Sequence, residues 1–161
     1  ALNEIAQKAD GGMRDALSIF DQLVSSTNNN LTYKTVIEHL NVLDVEYYFR
    51  LVDCFLKNDI FQCELIFNEV LQKGFDAQFF IAGLNAHLRD LMMCKSPDTI
   101  KLVEKGENMK KKYLEQAQNC PPEFLIRALT LCNECDLNYT VSKNKRLLVE
   151  LILIRLAQLT D

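Results

Sequence analysis

Apolar residues recur along this chain at the three- and four-residue spacing of amphipathic helices, and no stretch shows the strict alternation of a strand. Residues 1–9 read as the tail of one helix, with Leu2, Ile5, Ala6 and Ala9 on a stripe that stops at Asp10-Gly11-Gly12. A second helix is expected over 13–25, its apolar face formed by Met13, Ala16, Leu17, Phe20, Leu23 and Val24. The polar turn Ser26-Thr27-Asn28-Asn29-Asn30 then precedes a short helix that Thr32 caps and that ends near Leu40. From Asp44 onward the pattern predicts helices over 44–57, 59–73, 76–95, 98–105, 107–119, 122–136 and 142–160. Asp44 and Asp59 suit N-caps, and Lys73-Gly74 is a C-terminal stop. Ser96-Pro97 and Cys120-Pro121-Pro122 are boundaries, because the residue before proline avoids the α region. The expected fold class is all-α, with a domain boundary at Asn41-Val42-Leu43-Asp44.

The last helix departs from the amphipathic pattern. Leu147, Leu148, Val149, Leu151, Ile152, Leu153, Ile154, Leu156, Ala157 and Leu159 surround nearly the whole of it. Such a helix is expected to be covered on every side. A central position in one bundle satisfies that demand, and so does a contact with another subunit. The candidate interface residues are Leu147, Leu148, Leu151, Ile152 and Leu156. Glu150 and Arg155 interrupt the run, which is too short and too charged to span a bilayer.

Composition narrows the choices. Among 161 residues, 48% are hydrophobic and 25% charged, which describes a folded domain and not a disordered tail. The net charge of -4 argues against a free-standing nucleic-acid binder, whose footprint is a basic face. Lys110-Lys111-Lys112 reads as a solvated helix face beside Glu104, Glu107 and Glu115. The six cysteines stand mostly among apolar neighbours, so buried reduced thiols and a cytosolic location are expected. Cys132-Asn-Glu-Cys135 has the spacing of half a zinc site, but no second pair accompanies it; no metal is expected. His39 and His87 are isolated from any nucleophile or acidic partner at a recognisable spacing, so no catalytic residue is expected. The chain opens without methionine inside a helical pattern, which predicts a piece of a longer protein, and no charged leader with an apolar core is visible.

The densest cue lies in Gly11-Gly12-Met13-Arg14-Asp15-Ala16-Leu17-Ser18-Ile19-Phe20-Asp21-Gln22. Two glycines open a helix, and Arg14 emerges in its first turn. Backbone N–H groups are unpaired there and the helix dipole favours anions. A guanidinium at that mouth suits a phosphate, whose oxygens it meets bidentately. The segment resembles the sensor-2 motif of the AAA+ clamp-loader ATPases, and among them the bacterial DNA polymerase III gamma/tau family. Gly11, Arg14, Asp15, Ala16, Ser18, Asp21 and Gln22 match that family's pattern in register.

The resemblance implies that residues 1–43 form the C-terminal part of a three-helix AAA+ lid and that 44–161 form a helical collar, or oligomerisation, domain. It implies that Arg14 senses the terminal phosphate of ATP, with Met13 near the nucleotide. Asp15 complements the helix dipole, and Asp21 and Gln22 fix the lid against its neighbours. No G-x-x-x-x-G-K-[ST] phosphate loop occurs in this chain, so ATP and Mg2+ are cofactors of a longer protein only. Any polymerase label would belong to the holoenzyme. The implied partners are other clamp-loader subunits, identical or different, in a five-membered collar. The sliding clamp and primed DNA are met through that assembly, in the bacterial cytoplasm, with no membrane and no direct nucleic-acid contact by this piece. Two other readings fit the same residues: a helical adaptor without ATPase activity, and the lid plus C-terminal part of another AAA+ ATPase. A phosphate loop upstream of Ala1 separates the adaptor from the clamp-loader reading.

Overall fold

Seven apolar runs beyond Asp44 become six α-helices and one 3-10 turn in the computed structural model, which describes residues 44–161. The helices are α1 (Val45–Leu56), α2 (Ile60–Gln72), α3 (Ala77–Met93), α4 (Glu107–Gln118), α5 (Pro122–Tyr139) and α6 (Lys145–Leu156). No strand occurs among the described residues. The chain divides into two compact units, 1–44 and 45–161, and the helices α1–α6 form the second. The expected lid helices, with Met13 and Arg14, lie outside the described residues.

Helix ends follow their local chemistry. The Asp59 carboxylate accepts from the Gln62 N–H at 3.2 Å, and that of Asp76 from the Phe79 N–H at 2.7 Å. Gly74 stops α2 with φ +94°, the left-handed region in which a missing β-carbon removes the steric cost. Pro122 occupies the first turn of α5, where a missing N–H loses nothing. Asn144 caps α6 by accepting from the Leu147 N–H at 3.0 Å. That cap starts α6 at Lys145, later than the predicted 142, while α5 continues past 136 to Tyr139.

The segment expected as a helix over 98–105 is only a 3-10 turn, Ile100–Leu102. The Thr99 hydroxyl donates to the Met93 carbonyl at 2.6 Å and holds the chain against the end of α3. Val103 is then extended and buried, and is the only fully buried residue between Pro97 and Gly106. One anchored side chain does not offset the cost of nucleating a helix.

Helix α3 is the centre of the unit. It packs along α5 and also meets α1, α4 and α6, burying Phe80, Ile81, Leu84, Leu88 and Leu91. Helices α2 and α6 pair beside it, and α6 also packs on α5. Two polar contacts set the direction of the α2–α6 pair. The Arg146 guanidinium donates to the Asn68 side-chain Oδ1 at 3.1 Å, and the Asn58 side-chain amide donates to the Ala157 backbone carbonyl at 2.7 Å. The two helices are therefore antiparallel. No described helix is long and apolar enough to cross a membrane.

Candidate subunit interface

The last helix is not covered on all sides. Val149, Ile152, Leu153, Leu156 and Ala157 enter the core, whereas Leu147 and Leu151 are 46% and 50% exposed. Leu148 is half-buried. The five candidate interface residues thus divide. Ile152 and Leu156, 5% and 0% exposed, are committed to their own fold and not offered to a partner. Leu147 and Leu151, one turn apart, point away from the core.

Helix α2 adds to this outward face. Phe61 and Leu65 are 81% and 61% exposed and also stand one turn apart. Between these two apolar pairs runs a polar seam of Glu64 and Asn68 on α2 and Arg146 and Glu150 on α6. Arg146 Nε lies 3.6 Å from a Glu150 carboxylate oxygen. One oxygen of Glu64 is enclosed and meets no hydrogen-bond donor. Burial and the nearby Glu150 push its pKa up to about 7, despite the opposing charge of Arg146. Phe61 and Leu65 escaped the sequence reading because an apolar residue within an apolar helix looks like core. The signal was their phase: they fall outside the stripe Cys63, Ile66, Phe67 and Val70 that α2 buries.

On the other flank of α6 a groove of about 430 Å³ opens against α5. Ile126, Leu131 and Leu159 give it an apolar lining, and Arg127 and Arg155 border it together with Glu134. Both arginines are exposed, and neither forms an ion pair with a described residue. Arg155, which looked like an interruption of an apolar run, therefore belongs to a surface of its own.

The other candidate chemistry resolves into structure. His87 is buried between α3 and α4, with Nδ1 3.2 Å from the Tyr113 hydroxyl and Nε2 2.8 Å from Gln116 Oε1. The Gln116 amide donates onward to the Phe49 carbonyl at 2.8 Å and an Asp53 carboxylate oxygen at 2.9 Å. The chain is consistent throughout with a neutral ring: Tyr113 donates to Nδ1, and Nε2–H donates to Gln116. Burial lowers the His87 pKa to about 4. Cys132 and Cys135 are buried free thiols on one face of α5, with pKa values pushed up to about 12 and about 11 by burial. No cluster of metal-ligating side chains occurs among the described residues. Lys112 sits on an exposed face and pairs with Glu46 at 2.7 Å. His39 lies outside the described residues.

With an apolar outward face, the described unit is suited to association. Residues 1–29 match the family described as DNA polymerase III clamp loader subunit, ATPase lid domain. Residues 31–161 match that described as DNA polymerase III subunits gamma and tau domain III. The DNA polymerase III subunit tau of Bacillus subtilis is 23% identical over 158 residues, covering 98% of this chain and 28% of that protein. The DNA polymerase III subunit gamma of Buchnera aphidicola from Acyrthosiphon pisum is 27% identical over 138 residues, covering 86% of this chain and 37% of its own length. The chain thus spans less than half of these curated relatives. The solved Bacillus subtilis DNA clamp loader delta protein (YqeN) shares the fold, with a TM-score of 0.58 at 16% identity over 96% of this chain and 49% of that one.

Proposed function

The chain belongs to the DNA polymerase III gamma and tau subunit family, and from that premise we propose that it couples nucleotide state to subunit geometry in an ATP-driven clamp loader. Residues 44–161 serve as the collar domain that joins subunits, and 1–43 complete the lid. The division of the chain into compact units after Asp44 supports that boundary, although the two family matches meet earlier, at 29–31. The observation that carries the reading is the match of domain III to a unit whose outward face is apolar at Phe61, Leu65, Leu147 and Leu151.

In the longer protein an ATPase domain holds ATP and Mg2+. Arg14 reaches the terminal phosphate, with Met13 beside the nucleotide. A guanidinium there balances charge on the phosphate and makes the lid position depend on whether that phosphate is present. The assembly, through subunits other than this unit, opens a sliding clamp and places it on primed DNA.

Reconstitution of the full-length protein with its partner subunits tests this. Arg14→Ala should abolish ATP-driven clamp loading while the complex still assembles, and unchanged loading refutes the sensor role. Leu151→Glu should weaken assembly without unfolding the domain, since the side chain is half exposed. Native-like assembly of that variant argues against α6 as an interface.

A further inference from the structure

Two thiols meet at the corner between α1 and α2. Cys54 lies in the last turn of α1 and is half-buried, whereas Cys63 lies in the first turn of α2 and is wholly buried. The Asp59 backbone joins the two residues. Its N–H donates to the Cys54 carbonyl at 2.9 Å, and its carbonyl accepts from the Cys63 N–H at 3.3 Å. The helices pack on each other, and a side-chain hydrogen bond links the two thiols. Among the described cysteines, Cys54 alone is not buried. Cys132 and Cys135 also stand close in sequence, but both are enclosed in the core, where an oxidant does not reach them.

We propose that Cys54 and Cys63 form a redox latch: a small-molecule disulfide oxidises them to a disulfide that ties the end of α1 to the start of α2. The Cys54 thiolate attacks one sulfur of the oxidant R–S–S–R. The other sulfur leaves as a thiolate and takes up the proton that Cys54 lost, and Cys54–S–S–R remains. Cys63 then gives up its proton, attacks the Cys54 sulfur and expels the second RS⁻, which takes that proton. Two thiols are oxidised, and one oxidant disulfide is reduced to two thiols. Exposure sets the order, since the oxidant meets Cys54 first. The surroundings set the speed. Burial, then Asp59 and Asp53, raise the Cys54 pKa; burial, then Cys54 itself and Glu64, raise that of Cys63. Thiolates are therefore scarce at neutral pH and closure is slow. The same surroundings give the reduced pair no thiolate stabilisation, so the bond resists reduction once made. The corner it fixes carries Asn58, which holds the end of α6, and leads into Phe61 and Leu65, which α2 turns outward. The bond closes a short loop and suppresses local opening there. The latch is independent of the assembly reading above.

The test incubates the full-length protein with oxidised glutathione at pH 8, blocks remaining thiols with iodoacetamide and maps peptides by mass. A linked pair joined through Cys54 and Cys63, two hydrogens lighter than the free peptides, should accumulate. Cys63→Ala should stop at a glutathione adduct on Cys54, and Cys54→Ala should acquire neither adduct nor bridge at Cys63. In the oxidised parent, amide hydrogen exchange over residues 54–63 should slow at least tenfold, and the thermal midpoint should rise. Dithiothreitol should reverse both changes, and neither variant should show them. Should Cys63→Ala lose helix by circular dichroism, the parent and Cys54→Ala decide the matter. A parent that stays reduced, one that stops at the Cys54 adduct, or one whose bridge joins other cysteines overturns the proposal. So does a Cys54–Cys63 bridge that leaves exchange at the corner unchanged. None of these outcomes bears on Arg14 or on assembly, which the reconstitution above tests separately.

Discussion

The Tyr48 phenol lies across α3 at Gly83, so close that a β-carbon on Gly83 would overlap both the hydroxyl oxygen and the ring. The hydroxyl donates to the Phe80 carbonyl at 3.0 Å, and the ring stacks on Phe80 with centroids 5.8 Å apart. A glycine inside a helix costs about 1 kcal/mol relative to alanine, and here the close crossing of α1 and α3 requires it. Gly83→Ala should therefore destabilise the domain by about 1–3 kcal/mol, as overpacking outweighs the propensity gain. Urea unfolding measures this. A double variant with Tyr48→Phe should recover part of the loss, since the two residues touch. A stabilised Gly83→Ala would show that α1 can move aside.

Asn58 joins α1 to α2 in the left-handed region, φ 58°, and its amide donates to the Ala157 carbonyl at 2.7 Å and the Thr160 hydroxyl at 3.1 Å. One residue thus makes the turn and ties down the end of α6. Asn58→Gly keeps the backbone and loses the bonds, costing about 1 kcal/mol. Asn58→Ala adds left-handed strain, roughly 1 kcal/mol more. Denaturation midpoints in that order are expected; equal midpoints would remove the backbone part of the explanation.

His87 predicts an acid-sensitive fold. Burial lowers its pKa from 6.5 to about 4 in the native chain. Between those values the unfolded chain binds a proton that the folded chain refuses, so stability falls as pH drops from about 6.5 and levels off below about 4. The total is on the order of 3 kcal/mol. Urea midpoints measured across that window should slope accordingly, and His87→Gln should flatten the slope while lowering stability at neutral pH. An unchanged slope in the variant would assign the acid sensitivity to other groups.

Glu64 acts with the opposite sign. Its pKa is raised from 4.5 to about 7, chiefly by burial and then by Glu150. The fold therefore favours the protonated acid, and that contribution, complete below about 4.5, is lost as pH rises through 7. Glu64→Gln mimics the protonated form. It should raise the melting temperature at pH 8 and leave it nearly unchanged at pH 4. A lowered melting temperature at pH 8 would mean that the charged form is already well served in the monomer.

Much of this protein was legible from periodicity. The cap at Asp59, the glycine after Lys73, and the boundaries at Pro97 and Pro121-Pro122 placed five of the six helices within a few residues. These signals are local: a cap, a stop or an apolar stripe acts over one or two turns. Boundaries near Asn144 and Tyr139 were less clear, because the cap that starts α6 is a single side chain within a polar stretch.

The helical class, the kinship carried by Gly11–Gln22 and the apolar wealth of the last helix follow from the order of residues alone. Packing sets how that wealth is divided: Ile152 and Leu156 to the core, Leu147 and Leu151 to the surface, where Phe61 and Leu65 are exposed as well. The same holds for Gly83, whose reason is a tyrosine 35 positions away, and for His87, which was isolated in sequence and is fully bonded in the fold. The physical reason is that a helix with apolar residues on every side has no preferred face of its own. Its neighbours choose which residues they cover, and what they leave uncovered is the surface available to a partner.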